Sequence, residues 1–208
     1  MRVYVETNFI LELAYEQEQV ESCEELLQLA EAGDLRLAIP AFCFIEPMDK
    51  LRRDREKHRQ LADGFRQEFR ERQRGRIFTQ TQRQAWAEVQ TSLTAITQDA
   101  EQRVDSIRER LLRCSDILPT SERVVEHAAA LWAEESLPFP DAVVLASVLN
   151  SLQHETSSGK ASCFLNSNKR DFQTPTVVEL LMQRHCILKV RFDGGLAFIK
   201  AALKAHSA

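Results

Sequence analysis

Residues 2–8 read RVYVETN, a short β-branched and aromatic run followed by residues that cap helices. This pattern predicts a strand that ends just before Glu6, where a helix begins. Farther along the chain, apolar residues recur at helical spacing as far as Gly33, and residues 35–39 alternate and end at Pro40. Two short strands separated by helix predict an α/β fold with a parallel sheet.

A long segment at about residues 42–113 interrupts this alternation. It carries no strand signal, its glycines are Gly64 and Gly75, and its apolar residues recur by threes and fours. The tripeptide RGR at residues 74–76 separates its two halves. We therefore predict an antiparallel helical hairpin at about residues 50–113, inserted into a single domain that spans residues 1–208.

The α/β pattern resumes after Pro119. We predict an amphipathic helix around residues 124–132, a break at LPFP (residues 137–140) and an apolar helix that Asp141 opens. The remaining predicted elements are a strand at residues 163–165, a helix at 175–181, a strand at 186–190 and a closing helix at 196–203.

Four acidic residues occupy the same kind of position in this pattern. Glu6 follows the first strand directly, Glu46 lies a few residues beyond the second strand, and Asp141 opens the apolar helix. Asp171 follows the strand at residues 163–165. Because residues just past the strands of a parallel sheet converge on one crevice, we expect the four carboxylates to gather there.

Such a gathering of carboxylates is unfavourable by itself. Two of them ~5 Å apart repel by roughly 3 kcal/mol at an effective dielectric of about 20. Protons, basic partners or a divalent cation must offset this repulsion, and oxygen ligands favour Mg²⁺ or Mn²⁺ over zinc. Such ions activate water and stabilise the leaving oxygen in phosphodiester hydrolysis. Each acid taken alone is also compatible with a structural role as a helix cap, a helix-dipole partner or a solvated residue.

Four segments of the chain resemble, in order, the acidic motifs of PIN-domain nucleases. They are VYVETN (residues 3–8), IPAFCFIE (39–46), ILPT with the following helix up to LPFPDA (117–142), and FLNSNKRDF (164–172). The resemblance covers about residues 1–50 and 115–192, on both sides of the predicted hairpin.

This resemblance implies a three-layer α/β/α fold with a central parallel sheet and a metal-dependent ribonuclease centre. The implied ligands of Mg²⁺ or Mn²⁺ are Glu6, Glu46 and Asp141, with Asn168 and Asp171 completing the site and Thr7 and Asn8 supporting it. The first acid is Glu where the family usually has Asp, so its carboxylate reaches about one carbon–carbon bond farther. Position 168 is Asn, which is at best a neutral ligand.

Charge is strongly segregated along the chain. Residues 1–49 carry eleven acidic residues against Arg2 and Arg36, whereas residues 50–76 carry eleven basic residues against five acidic ones. Like charges one helical turn apart repel by a few tenths of a kcal/mol per pair, and RNA phosphates would neutralise them. Three alternatives to RNA binding remain open for these basic residues: contact with the acidic N-terminal third of the chain, contact with a protein partner, and solvation. The arginines that we expect to contact RNA are Arg55, Arg59, Arg66, Arg70 and Arg74.

The sequence favours a Mg²⁺- or Mn²⁺-dependent endoribonuclease whose catalytic residues are Glu6, Glu46, Asp141 and Asp171. A catalytically decayed PIN-like module that binds RNA or protein through the hairpin is the main alternative, and an interaction protein whose acids are only helix caps is a third. By family resemblance, the chain fits the toxin of a toxin–antitoxin pair with an antitoxin-like protein partner, and a homodimer is a further option.

The predicted location follows from two negative signals. No apolar run of the sequence approaches the ~18–20 residues that span a bilayer. Glu6 also interrupts the region where a signal peptide needs apolar residues. We therefore expect a soluble, cytoplasmic protein without membrane contact.

Overall fold

The computed structural model describes residues 1–72, 79–135, 137–155 and 161–207. Within these residues, five strands form one sheet in which all neighbouring pairs are parallel. The parallel sheet predicted from the sequence is therefore confirmed. Its strands are β1 (Arg2–Tyr4), β2 (Arg36–Pro40), β3 (Ser115–Leu118), β4 (Ser162–Leu165) and β5 (Cys186–Lys189).

The strand order across the sheet is β3-β2-β1-β4-β5. β1 lies at the centre, where Val3 is level with Leu37 of β2 on one side and Cys163 of β4 on the other. The chain first builds outward from β1 to β3 and then returns to the other side of β1 to add β4 and β5. Such a reversal opens a crevice beyond the carboxyl ends of β1 and β4, where sheets of this kind bind ligands.

Helices flank this sheet and complete the three-layer α/β/α architecture. They are α1 (Thr7–Tyr15), α2 (Val20–Glu31), α3 (Ile45–Arg72), α4 (Gln80–Cys114), α5 (Glu122–Glu135), α6 (Phe139–Glu155), α7 (Lys169–Phe172), α8 (Pro175–Met182) and α9 (Phe192–Ser207). None of the helices in the described part of the chain combines the length and the apolar composition that crossing a bilayer requires.

α6 is the helix that lies deepest in the core. Residues 142–149 are all buried, and the helix packs against α5, β2 and β3. A helix that is apolar on every side is stable only when neighbours cover it all round. The burial of residues 142–149 fixes the orientation of α6, and with it the position of the half-buried Asp141 in its first turn.

α3 and α4 form the predicted antiparallel hairpin. Near its tip, Trp86 of α4 packs against Phe65 and Phe69 of α3, with ring centroids 5.2 and 5.9 Å apart. Lower down, the Nδ1 atom of His58 and the hydroxyl of Thr97 share a hydrogen bond of 2.7 Å. The two helices of the hairpin therefore bury apolar surface against each other and share a hydrogen bond.

Two structural details differ from the predicted elements in the third quarter of the chain. β3 was not predicted, because it follows α4 directly at Ser115 and is a short, half-exposed edge strand. α6 begins at Phe139 rather than at Asp141, so that Asp141 lies within its first turn. Pro140 does not break this helix, because a proline in the first turn replaces an N–H that has no partner within the helix.

The closing helix also begins earlier than residue 196. α9 starts at Phe192 and includes Gly194 and Gly195, a pair that the sequence pattern left outside the helix. Gly195 belongs there because a Cβ at this position would collide with the side chain of Leu165 in β4. The glycine thus allows the helix to approach the sheet closely.

Candidate active site

Glu6 stands where β1 passes into α1. Its carboxylate oxygen Oε2 caps the helix by accepting a hydrogen bond of 2.9 Å from the backbone N–H of Asn8. The residue is only 6% exposed, and its other oxygen, Oε1, is buried without a hydrogen-bond partner among the described residues. A buried carboxylate oxygen without a partner is unfavourable unless a proton or a cation engages it.

Burial raises the pKa of Glu6 from 4.5 to about 8. Hydrogen bonds from Asn8 act in the opposite direction, and the negative charges of Asp141 and Glu46 raise the pKa further. Asp141 and Glu46 therefore act on Glu6 although they come from distant parts of the chain.

Asp141 lies in the first turn of α6. Burial raises its pKa from 3.8 to about 6, and the charges of Asp171 and Glu46 raise it as well. A hydrogen bond with the side chain of Asn168 lowers it. The first turn of a helix favours a negative charge, so burial and the neighbouring acids outweigh the helix dipole at this position.

Glu46 reaches the same region from β2. A 3-10 turn, Ala41–Phe44, follows the strand and places Glu46 in the first turn of α3. Unlike Glu6, Glu46 is exposed. Its carboxylate therefore lies on the solvent side of the acidic group, the name used here for Glu6, Glu46, Asp141 and Asp171.

The end of β4 carries a network of amides and one acid. The backbone N–H of Asn166 donates to the carbonyl of Lys189 at 3.0 Å, and its side-chain Oδ1 accepts from the backbone N–H of Asn168 at 2.7 Å. The side-chain N–H of Asn168 then donates to Oδ2 of Asp171 at 2.8 Å. Asn168 thus connects Asp171 with Asp141.

The charges of Asp141 and Glu46 act on Glu6, and those of Asp171 and Glu46 act on Asp141, so the four predicted acids influence one another across the end of the sheet. Their oxygen atoms, and the partnerless Oε1 of Glu6 above all, suit a hard divalent cation. In the part of the chain that the structure describes, however, no three acidic, histidine or cysteine side chains are arranged closely enough to hold a metal ion.

In a comparison with family models, residues 3–172 match the PIN domain. The chain belongs to the PIN domain family. The match begins in β1, runs across the α3–α4 hairpin and ends with α7, so that β5 and α9 lie beyond it. No curated protein and no solved structure matches the chain significantly.

PIN domains are generally nucleases and typically use divalent metals, so family membership assigns this chain a nuclease-type fold. In this PIN domain, Glu46, Asp141 and Asp171 lie in α3, α6 and α7, respectively. Glu6 is the residue just before α1. Thr7 is buried at the first position of α1, and Asn8 holds the carboxylate of Glu6.

The arginines of the hairpin lie mostly in ion pairs. Arg55 pairs with Glu101 of α4, Arg59 with Glu56 at 3.0 Å, and Arg66 with Asp63 at 2.7 Å. Arg70 is exposed and forms no ion pair with the described residues, and Arg74 lies outside them. Arginines that are already paired offer less to a phosphate, since they must give up a carboxylate to bind it.

Other arginines of the hairpin bind the acidic N-terminal third of the chain, which was one of the alternatives to RNA binding that the sequence left open. Arg110 of α4 donates to both oxygens of Glu24, at 2.7 and 2.8 Å, and to both oxygens of Glu31, at 2.7 and 2.9 Å. Arg103 donates to the carbonyl of Ala14 at 2.6 Å. These contacts fix the base of the hairpin against α1 and α2.

The interpretation of the sequence missed Asn166. It is 1% exposed, and its side-chain Nδ2 is buried without a hydrogen-bond partner among the described residues. Its position, directly after β4 in the motif FLNSNKRDF, was the available signal. The side chain fixes the turn that presents Asn168 and Asp171.

Proposed function

We propose that this PIN domain is a Mg²⁺- or Mn²⁺-dependent endoribonuclease whose centre is the acidic group around Glu6. The observation that carries the proposal is the buried carboxylate of Glu6, which has an oxygen without a partner and lies near two further acids. A folded protein retains such an unfavourable arrangement where a ligand compensates for it. The choice of RNA rests on the resemblance of the four acidic motifs to those of PIN-domain ribonucleases.

Glu6, Glu46 and Asp141 would hold the cation, with Asp171 and the carbonyl of Asn168 adjusting its position. A divalent cation at such a site activates water and stabilises the charge on the leaving oxygen of a phosphodiester. Asn168 keeps Asp171 and Asp141 in place through its hydrogen bonds. Lys169 and Arg170 of α7 are exposed beside Asp171 and form no ion pair with the described residues, so they are available to the phosphates of the substrate.

Mn²⁺ titration by calorimetry, together with an RNA cleavage assay, tests the proposal. We expect the wild type to bind Mn²⁺ and to cleave single-stranded RNA only when Mg²⁺ or Mn²⁺ is present. Asp141→Asn should abolish both binding and cleavage. The matched control is Glu109→Gln, which removes an exposed carboxylate of α4 and should change neither. A wild type that cleaves RNA equally well in excess chelator would contradict the proposal.

A second candidate function is a non-catalytic module that binds RNA. The absence of a close group of three potential metal ligands among the described residues favours it, as does the neutral Asn168. Such a module would bind RNA with the same affinity in chelator and in Mn²⁺, and Asp141→Asn would leave that affinity unchanged. The same two assays therefore separate the candidates.

A further inference from the structure

A cavity of about 300 Å³, which we call the hairpin cavity, lies between α3 and α4. Ala62 of α3 forms part of its wall and lies about 24 Å from Glu46 along the helix axis, at ~1.5 Å per residue. The cavity is therefore separate from the acidic group. Cavities that bind small molecules have volumes of roughly 300–1,000 Å³, so this one has the size of a site for a small ligand.

The wall of the hairpin cavity is preformed. Ala62, whose side chain is only a methyl group, is 6% exposed and leaves the space between the two helices open. His58 and Thr97 belong to the wall and are held together by the hydrogen bond of 2.7 Å between Nδ1 and the hydroxyl. A ligand that enters does not need to order these groups, which lowers the free-energy cost of binding.

The charged part of the lining is mainly basic. Among the described residues it includes three arginines of α3 and one acid, Glu101 of α4. The carboxylates of Glu56 and Asp63, which pair with two of these arginines, lie outside the lining. Arg66 gives Asp63 only one N–H group, at 2.7 Å, and a guanidinium has five, so Arg66 retains donors for an anion in the cavity. The three arginines are Arg55, Arg59 and Arg66.

Gln98 of α4 adds a neutral polar group to the lining. It is exposed and forms no hydrogen bond with the described residues. Its amide has donors and an acceptor, as the edge of a nucleobase has, and an imidazole ring or a guanidinium plane stacks on the face of a base. Arginine N–H groups bind phosphate. Together these groups match the base and the phosphate of one nucleotide, whereas an inorganic anion would use only the arginines.

We infer that the hairpin cavity binds a single nucleotide, with its base between α3 and α4 and its phosphate at Arg66. The cavity is separate from the acidic group, so this inference goes beyond the proposed nuclease function and does not depend on RNA cleavage. A free mononucleotide and one nucleotide of an RNA strand present the same chemistry to the cavity.

Calorimetry in excess chelator tests this inference, with adenosine 5′-monophosphate as the probe. We expect one mononucleotide to bind per chain. Ribose 5-phosphate, which lacks the base, should bind roughly 5- to 150-fold more weakly, because the contribution of one base, about 1–3 kcal/mol, is lost. Equal affinities for the mononucleotide, ribose 5-phosphate and inorganic phosphate would show a non-selective attraction of anions to the arginines and overturn the inference. The absence of saturable mononucleotide binding would overturn it as well.

Filling the cavity gives the second measurement. Ala62→Leu replaces the methyl group with a larger side chain, and leucine is a good helix former. The affinity for the mononucleotide should fall by about tenfold or more, while Mn²⁺ affinity, measured without chelator, should not change. The matched control is Ala87→Leu, the same change at an exposed position of α4 outside the lining, which should alter neither affinity. A folded Ala62→Leu protein that binds the mononucleotide as tightly as the wild type would refute the inference.

Two exposed substitutions separate the base from the phosphate, and they also test the inference if Ala62→Leu does not fold. Gln98→Ala should weaken the binding of the mononucleotide roughly 2- to 10-fold but leave that of ribose 5-phosphate unchanged, because only a contact with the base is lost. Arg66→Gln should weaken the binding of both ligands by about tenfold. If neither substitution changes the affinity for the mononucleotide, the inference is wrong.

Competition in chelator identifies the source of the nucleotide. If pentaadenylate displaces the mononucleotide and Ala62→Leu weakens the binding of both, the cavity receives one nucleotide of an RNA strand. If pentaadenylate does not displace the mononucleotide, the cavity receives the free mononucleotide.

Failure of this inference is distinguishable from failure of the proposed function. If the wild type cleaves RNA but does not bind the mononucleotide, the nuclease stands and the nucleotide site is refuted. If the wild type does not cleave RNA but binds the mononucleotide and loses it with Ala62→Leu, the nucleotide site stands without the nuclease.

Discussion

Glu6 is the residue whose charge conflicts most with its surroundings, and removing that charge tests the conflict. Glu6→Gln keeps the size of the side chain but makes it neutral. The wild type must either protonate this carboxylate, whose pKa is about 8, or bury it charged when it folds, and the variant need do neither. We expect the metal-free variant to be more stable than the wild type at neutral pH by roughly 1–3 kcal/mol. Urea unfolding in chelator measures this difference, and calorimetry should show that the variant has lost Mn²⁺ binding. A less stable variant would mean that Glu6 acts mainly as the cap of α1.

Asn168 allows the opposite experiment. Asn168→Asp removes the N–H groups that reach Asp171 and Asp141 and adds a further negative charge. We expect the metal-free protein to lose about 1–2 kcal/mol of stability, because two acids lose a donor. Mn²⁺ should in turn raise the melting temperature of this variant more than that of the wild type. Equal Mn²⁺-induced shifts in both proteins would show that residue 168 does not face the cation.

At this scale, the sequence predicts that the four acids gather at the strand ends, but not what each of them does there. The acids could be placed because each follows a strand of a parallel sheet, and strand ends converge. The role of Asn168 as a hydrogen-bond donor between Asp171 and Asp141 depends on side-chain geometry, which no spacing along the chain reveals. The same holds for the partnerless Oε1 of Glu6.

Among the secondary-structure elements, the contact of α4 with α2 makes a prediction about pH. Hydrogen bonds from Arg110 hold the pKa of Glu24 and of Glu31 below the ordinary value of 4.5. Their folded-state pKa is lower than in the unfolded chain, so the stabilisation is fully present above about pH 4.5. It is lost as the pH falls through the lowered pKa.

Arg110→Gln should therefore lower the free energy of unfolding at pH 7 by about 1 kcal/mol, a modest effect because solvent screens these partly exposed groups. The difference from the wild type should shrink as the pH is lowered below about 4.5. Urea unfolding at several pH values measures both effects. The matched control is Arg108→Gln, whose pair with Asp105 lies within one helix and should contribute little. A difference that persists unchanged in acid would contradict this explanation.

The elements themselves were predictable where they show strong periodicity. The hairpin is the clearest case, because apolar residues recur at helical spacing along α4 and, in α3, from Leu61 to Phe69. β3 was not predictable, since its four residues continue directly from α4 and gain their strand conformation from pairing with β2. The pairing of Arg55 and Arg66 with nearby acids also depends on rotamers rather than on sequence pattern.

For the whole molecule, the open question is whether one RNA contacts both the acidic group and the tip of the hairpin. Glu46 and Arg70 lie near opposite ends of α3, about 36 Å apart along its axis at ~1.5 Å per residue. The base of the hairpin is fixed to α1 and α2 by Arg103 and Arg110, so this separation is a property of the fold. A stacked strand rises about 3.4 Å per nucleotide, so a stacked RNA needs about ten nucleotides to reach both places.

This length sets the last prediction. Arg70→Glu should weaken the binding of an RNA of about twenty nucleotides and flatten the dependence of its affinity on salt, because fewer counterions are released. The variant should bind an RNA of about five nucleotides as tightly as the wild type does, and its Mn²⁺ affinity should not change. Arg59→Gln is the matched control, because Arg59 is already bonded to Glu56 and contributes less to a phosphate. If Arg70→Glu leaves the salt dependence of the long RNA unaltered, the tip of the hairpin does not bind the substrate.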